Sequence, residues 1–165
     1  MKTYFIEQAD YQCWASAELF KSLDTLSDEQ RRAHLGLFFQ DAHHTVDHIL
    51  MVTRNWQARL QGTFERTAGY EEVLYADWTE LKAALLNEFT GLGAWLDTQP
   101  AQWFDNVIEY LGGDGKPRRT RVRDALHHVM THAVHHRGQV SAACTRLGAP
   151  SPKMDFVFYL RRNEK

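Results

Sequence analysis

The sequence has 165 residues, of which 44% are hydrophobic and 24% are charged, as in ordinary globular proteins, and we predict a single domain over residues 1–165. The net charge of −2 argues against a nucleic-acid partner. The N-terminus lacks the apolar stretch of a signal peptide, and no run of about 18 apolar residues could span a membrane. Two isolated cysteines make no disulfide framework and suit a reducing compartment, so we predict a cytoplasmic protein with no membrane contact.

The first half of the chain predicts two helical regions. Apolar residues recur at three- and four-residue intervals over residues 11–26, which indicates the first helix. Ser27, with Gln30 three residues later, has the signature of a capping box that begins the next helix. That second region extends to about residue 60, either unbroken or divided at Gly36 into a short helix and a long one.

The second half predicts two more long helices, separated by a glycine-rich segment. A third helix is expected from about residue 70 to residue 96, and the last from residue 122 to residue 147. Between them, two short extended runs flank residues 112–117, which predicts a hairpin or an irregular loop. The apolar tail, residues 155–160, is expected to pack back on the helices. The fold class is therefore all-α, a four-helix bundle with a short hairpin or loop insertion before the last long helix.

Histidines are concentrated in the last predicted helix. Five of the nine lie in one ten-residue window: His127, His128, His132, His135 and His136. His132 and His136 are one helical turn apart beside an apolar stripe, the spacing at which two imidazoles reach one metal ion. His127 and His135 point elsewhere and are expected at the surface.

A third imidazole is available from the second helical region. His44 and His48 lie on similar faces there, and spacing alone leaves both open as the third ligand. Three imidazoles with an open fourth position are typical of catalytic zinc sites and also suit nickel or iron. A di-iron site is disfavoured because the chain lacks paired Glu-x-x-His motifs.

Three neighbours of the histidine pair are candidates for supporting roles. Gly138 lies inside the predicted helix, where glycine is tolerated if another backbone or a ligand approaches closely; the alternative is an ordinary surface glycine. Arg137 and Gln139 are candidates for contacts with a ligand imidazole or with substrate.

At these residues the chain resembles the DinB family of metal-dependent helical bundles, related to YfiT-like thiol transferases. The similarity spans nearly the whole chain and is carried by four motifs: Tyr11-x-x-Trp14, Thr45-Val-Asp-His48-Ile-Leu, His132-x-x-x-His136-Arg-Gly-Gln139, and Gly148-Ala-Pro with Asp155-Phe-Val. The resemblance implies an up-down-down-up bundle, often a homodimer. It also implies one divalent metal ion held by His48, His132 and His136, and so selects His48 over His44.

The resemblance further implies chemistry on low-molecular-weight thiols. The favoured function is a metal-dependent thiol S-transferase acting on small electrophiles, with a small-molecule substrate and a low-molecular-weight thiol as co-substrate. The alternatives are a metal-dependent hydrolase and a non-catalytic metal-binding stress-response protein. Catalytic residues beyond the metal ligands are unassigned, and Asp47, His44 and His128 are the candidates for a general base.

Overall fold

The computed structural model describes residues 1–63 and 72–164, and within them the chain is mostly helical. The elements follow in chain order: α1 (Lys2–Leu23), α2 (Asp28–Arg31), α3 (Ala42–Gln61), α4 (Trp78–Thr98), a 3₁₀ helix (Ala101–Asp105), β1 (Val107–Leu111), β2 (Pro117–Arg121), α5 (Val122–Arg146) and α6 (Phe156–Leu160). None of these helices is both long and apolar enough to cross a bilayer.

The four long helices surround a common apolar core. α1 packs against α4 and α5, and α3 packs against the same two helices. Many of their inward positions are aliphatic or aromatic; Leu19, Ile49, Phe89 and Val140 are each at most 1% exposed. This packing is compatible with the predicted helical bundle, and it places the inner face of α3 against that of α5.

The second helical region divides into a short helix and a long one. Ser27 forms the predicted capping box: its hydroxyl accepts from the backbone N–H of Gln30, whose side chain accepts from the Ser27 N–H. Gly36 lies in the connecting segment with φ +72°, a conformation that a helix cannot include. Asp41 then caps α3 by accepting from the backbone N–H of His44.

Two predicted helix boundaries are wrong. α1 begins at Lys2 rather than at residue 11, because Phe5 and Ala9 continue its buried face by one turn and more. α4 begins at Trp78 rather than near residue 70. Residues 72–77 are not helical, and the backbone N–H groups of Leu74 and Tyr75 donate to the Asp47 carboxylate instead. Residues 70 and 71 lie outside the described residues.

The glycine-rich segment forms the predicted hairpin, and the tail packs back as expected. β1 and β2 pair antiparallel, with Tyr110 opposite Arg118, and the Tyr110 ring lies 5.2 Å from the ring of Trp56 on α3. In α6, Tyr159 is 3% exposed and donates from its hydroxyl to Asp10 on α1 at 2.6 Å. The hairpin therefore covers the C-terminal half of α3.

Candidate metal centre

Three histidines from two helices converge at one point between α3 and α5. The Nε2 atom of His132 lies 3.1 Å from Nε2 of His48 and 3.1 Å from Nε2 of His136. The ligand atoms of all three lie within 4.8 Å of one another. Within residues 1–63 and 72–164, this is the group of histidine, cysteine or acidic side chains placed to hold a metal ion.

The separations suit a divalent ion. Nitrogens held about 2.0–2.1 Å from one tetrahedral ion stand roughly 3.3–3.4 Å apart, close to the two 3.1 Å separations. All three ligand atoms are the same ring nitrogen, which neutral imidazoles offer to zinc, nickel or iron. The three side chains therefore fit one ion with room for a further ligand.

Electrostatics keep these rings neutral. Burial, helped by the nearby His136, lowers the pKa of His48 from 6.5 to about 4. Burial also lowers the pKa of His132 to about 3, with smaller contributions from the neighbouring histidines. The pKa of His136 is lowered by burial as well, although its hydrogen bond to Gln139 opposes the shift. At pH 7 each ring therefore keeps one unprotonated nitrogen that can bind a metal.

Aromatic packing fixes the orientation of His48. The Phe39 ring, in the segment before α3, stacks on the His48 ring with centroids 3.8 Å apart and planes 24° apart. The same phenyl ring lies 5.6 Å from the ring of His136. Sequence reasoning left Phe39 unassigned, because an apolar residue in an irregular segment carries no periodic signal of its partners.

The remaining histidines lie outside this triangle. His44 Nδ1 is 2.6 Å from Asp41 Oδ2, so the α3 cap holds its ring. His43 Nε2 donates to the carbonyl oxygen of Tyr75, 2.8 Å away. The exposed His127 and His135 are at the surface, as predicted.

A cavity of about 560 Å³ opens beside the histidines. His48 and His132 form part of its wall, and His128, Trp56 and Tyr110 form another part. A second cavity of about 570 Å³ lies on the far side of Phe39 and shares His48 with the first. The candidate centre is therefore accessible to small molecules.

The three candidate general bases differ in placement. Asp47 is 3% exposed, and its carboxylate accepts from Leu74 N and Tyr75 N at 2.9 and 3.0 Å. His44 and Asp47 line the second cavity, whereas His128 lines the first, with its ring 5.5 Å from that of His132. Burial and the nearby Arg59 lower the pKa of His128.

The three residues predicted to support the histidine pair lie in different surroundings. Gln139 Oε1 lies 2.8 Å from His136 Nδ1, so Gln139 supports a histidine of the triangle. Arg137 is 2% exposed and its guanidinium lies over the Tyr11 ring at 5.5 Å, so it contacts α1. The expected close approach at Gly138 is wrong: a Cβ atom there would meet nothing within 4 Å, and the residue is exposed.

The sequence model of the DinB family matches residues 1–165. Protein DinB of Bacillus subtilis (strain 168) is 23% identical to this chain over an alignment 167 residues long, and the alignment covers 97% of this chain and 95% of that protein.

Proposed function

Because this chain belongs to the DinB family and gathers three neutral imidazoles beside a cavity, we propose that it is a metal-dependent enzyme that joins a small thiol to an electrophile. His48, His132 and His136 would hold one divalent ion, zinc, nickel or iron. The observation that carries the proposal is the triangle of Nε2 atoms, two of whose histidines, His48 and His132, line the cavity.

An open coordination position distinguishes a catalytic site from a structural one. A structural zinc site is closed by a fourth protein ligand, usually cysteine. Cys144 lies eight residues beyond His136, about 12 Å along the helix axis, and burial raises its thiol pKa to about 11. Cys13 is on α1, with its sulfur 3.7 Å from the carbonyl oxygen of Leu86. Neither thiol supplies a fourth ligand, which leaves that position for an exogenous molecule.

A divalent ion held by His48, His132 and His136 would supply the positive charge that lowers the pKa of a thiol in the cavity. In the proposed reaction the thiol sulfur forms a bond to the electrophilic carbon while the bond from that carbon to the leaving group breaks, and the leaving group departs with the electron pair. Of the three candidate bases we assign acceptance of the thiol proton to His128, because it lines the same cavity as His132. Phe39 stacks on the His48 ring and holds its orientation.

The first experiment measures metal content in protein purified without a metal-binding tag. We expect about one equivalent in the wild type, and loss of the ion in His48→Ala, His132→Ala and His136→Ala. His127→Ala, an exposed histidine of the same helix, is the matched control and should keep the ion. If zinc, nickel and iron all fail to bind on reconstitution, the metal-dependent function is wrong.

The second experiment follows consumption of 1-chloro-2,4-dinitrobenzene by the metal-loaded protein with and without cysteine as the thiol. Consumption that requires the thiol and disappears in His132→Ala supports the transferase. Ester hydrolysis without any thiol would instead indicate the hydrolase, which uses the same open position for water. Bound metal with no turnover across a panel of thiols, electrophiles and esters would indicate a non-catalytic metal protein.

A further inference from the structure

The cavity beside the histidines is positively charged at its other end. Arg59 and Arg118 line it together with His48 and His132. Among the described residues of its lining, none is an aspartate or a glutamate. The cavity therefore combines a candidate metal centre with two cationic side chains.

The position of Arg59 is set by two aromatic rings. Its guanidinium carbon lies 5.1 Å from the ring centroid of Trp56 and 5.2 Å from that of Tyr110. A guanidinium on aromatic faces is weakly hydrated and keeps its planar fork of N–H donors, which suits it to bind carboxylate or phosphate oxygens.

The helix sets the distance between the two ends. His48 and Trp56 are eight residues apart on α3, about 12 Å along the axis, and the Arg59 side chain extends back over the Trp56 ring. A ligand that reaches both the histidines and Arg59 is therefore elongated. Trp56 and Tyr110 supply apolar walls for the chain between its two ends.

The two arginines are unequal in their surroundings. Arg118 is about half exposed and its Nη2 lies 2.9 Å from Asp114 Oδ2, so part of its charge is neutralised within the hairpin. Arg59 is less exposed than Arg118 and is held on the cavity wall by its contacts with the rings of Trp56 and Tyr110. Arg59 is the principal cationic contact, and Arg118 is secondary.

We propose that this end of the cavity binds an anionic group, such as a carboxylate, at one end of a substrate whose other end reacts at the histidine centre. Arg59 is the residue that selects for the anion, and Arg118 strengthens the selection. The inference rests on the proposed function and deepens it by assigning the substrate class: elongated molecules with an acidic end.

The test compares two probes that differ only at the far end, 8-mercaptooctanoate and 8-mercapto-1-octanol, by calorimetric titration of the zinc-loaded protein. We expect the acid to bind about tenfold more tightly, the effect of one charge-assisted contact. In Arg59→Gln the preference for the acid should fall to the smaller factor that Arg118 contributes, while the alcohol binds as it does to the wild type. Arg118→Gln should reduce the preference by a smaller factor.

Arg119→Gln is the matched control, because Arg119 alternates with Arg118 on β2, lies outside the cavity lining and pairs with Glu109. It should keep the full preference. Arg59→Met, which preserves most of the apolar stem over the two rings, replaces Arg59→Gln if that variant fails to fold. Equal affinities in the wild type, or an undiminished preference for the acid in Arg59→Gln or Arg59→Met, would overturn the inference.

A second titration separates this inference from the proposed function. Octanoate and 1-octanol are titrated into the metal-free protein, where binding depends on the cavity alone. If thiol binding shows no dependence on zinc, the proposed function fails, yet an Arg59-dependent preference for octanoate still supports the anion site. If Arg59 does not raise the affinity for octanoate relative to 1-octanol, and metal loading does not change this, the anion site is absent.

Discussion

The Nδ1 atom of His136 lies 2.8 Å from Oε1 of Gln139, almost one turn further along α5. An amide oxygen only accepts, so Nδ1 carries the proton and donates it, which leaves the lone pair of Nε2 free to face His132 and His48. Gln139 thus selects the tautomer of His136 that can bind a metal through the nitrogen of the triangle.

Replacing Gln139 should weaken metal binding without removing a ligand. We expect Gln139→Leu to lower zinc affinity about 10–100-fold, because the His136 ring loses the contact that fixes its tautomer and orientation. Competition against a chromophoric chelator measures the change. His135→Ala is the control, since that exposed ring contacts Gln139 but lies outside the triangle. Equal affinities in Gln139→Leu and wild type would show that Gln139 plays no such role.

Metal removal should lower the melting temperature, because the ion would join α3 to α5 through side chains of both. A ligand at about 100 times its Kd stabilises the folded state by about 2.7 kcal/mol. For a chain of this size that corresponds to roughly 5–10 °C. Calorimetric scans with and without EDTA measure the shift. In His132→Ala, EDTA should not change the melting temperature. A shift as large as that of the wild type would indicate that the ion binds away from the three histidines.

The metal-free protein should lose stability as the pH falls below about 6.5. The pKa values of His48 and His132 are lowered to about 4 and about 3 in the folded protein, against an ordinary 6.5. The unfolded chain therefore takes up protons at a higher pH than the folded one does. The stabilisation is complete above pH 6.5 and decreases toward pH 4, by on the order of 1–2 kcal/mol per ring between pH 7 and pH 5.

Urea unfolding in EDTA at pH 7.5, 6 and 5 measures this dependence. The double variant His48→Gln/His132→Gln should show a shallower fall. It should keep some dependence, because the pKa values of His43, His128 and His136 are lowered in the same direction. If the free energy of unfolding falls with pH as steeply in the double variant as in the wild type, the rings of His48 and His132 do not cause the pH dependence.

Asp47→Asn should destabilise the protein and leave its metal content intact. The buried carboxylate accepts from the backbone N–H groups of Leu74 and Tyr75, and an amide can satisfy only one of the two with its oxygen. We expect a loss of about 1–3 kcal/mol in the free energy of unfolding. Asp124→Asn, exposed on α5, is the control and should change stability by no more than about 0.5 kcal/mol. Loss of the metal from folded Asp47→Asn would give Asp47 a role at the centre.

Local sequence spacing accounts for two of the three candidate metal ligands, His132 and His136. His132 and His136 lie on one face of α5 because residues four apart are separated by one helical turn, whatever surrounds the helix. The same short-range rules predicted the capping box at Ser27, a hairpin or an irregular loop around residues 112–117, and the exposed positions of His127 and His135.

Tertiary packing determined which histidine is the third candidate ligand. Spacing left His44 and His48 equivalent as third ligand, and the family resemblance favoured His48. In the structure the Asp41 cap holds the ring of His44, whereas the rotation of α3 against α5 brings His48 to His132. The contacts of Phe39 with His48, and of Arg59 with Tyr110 of the hairpin, join segments with no common period. Helical periodicity determines which side chains share a face, but which faces meet depends on packing between residues far apart in the chain, and local spacing carries no record of it.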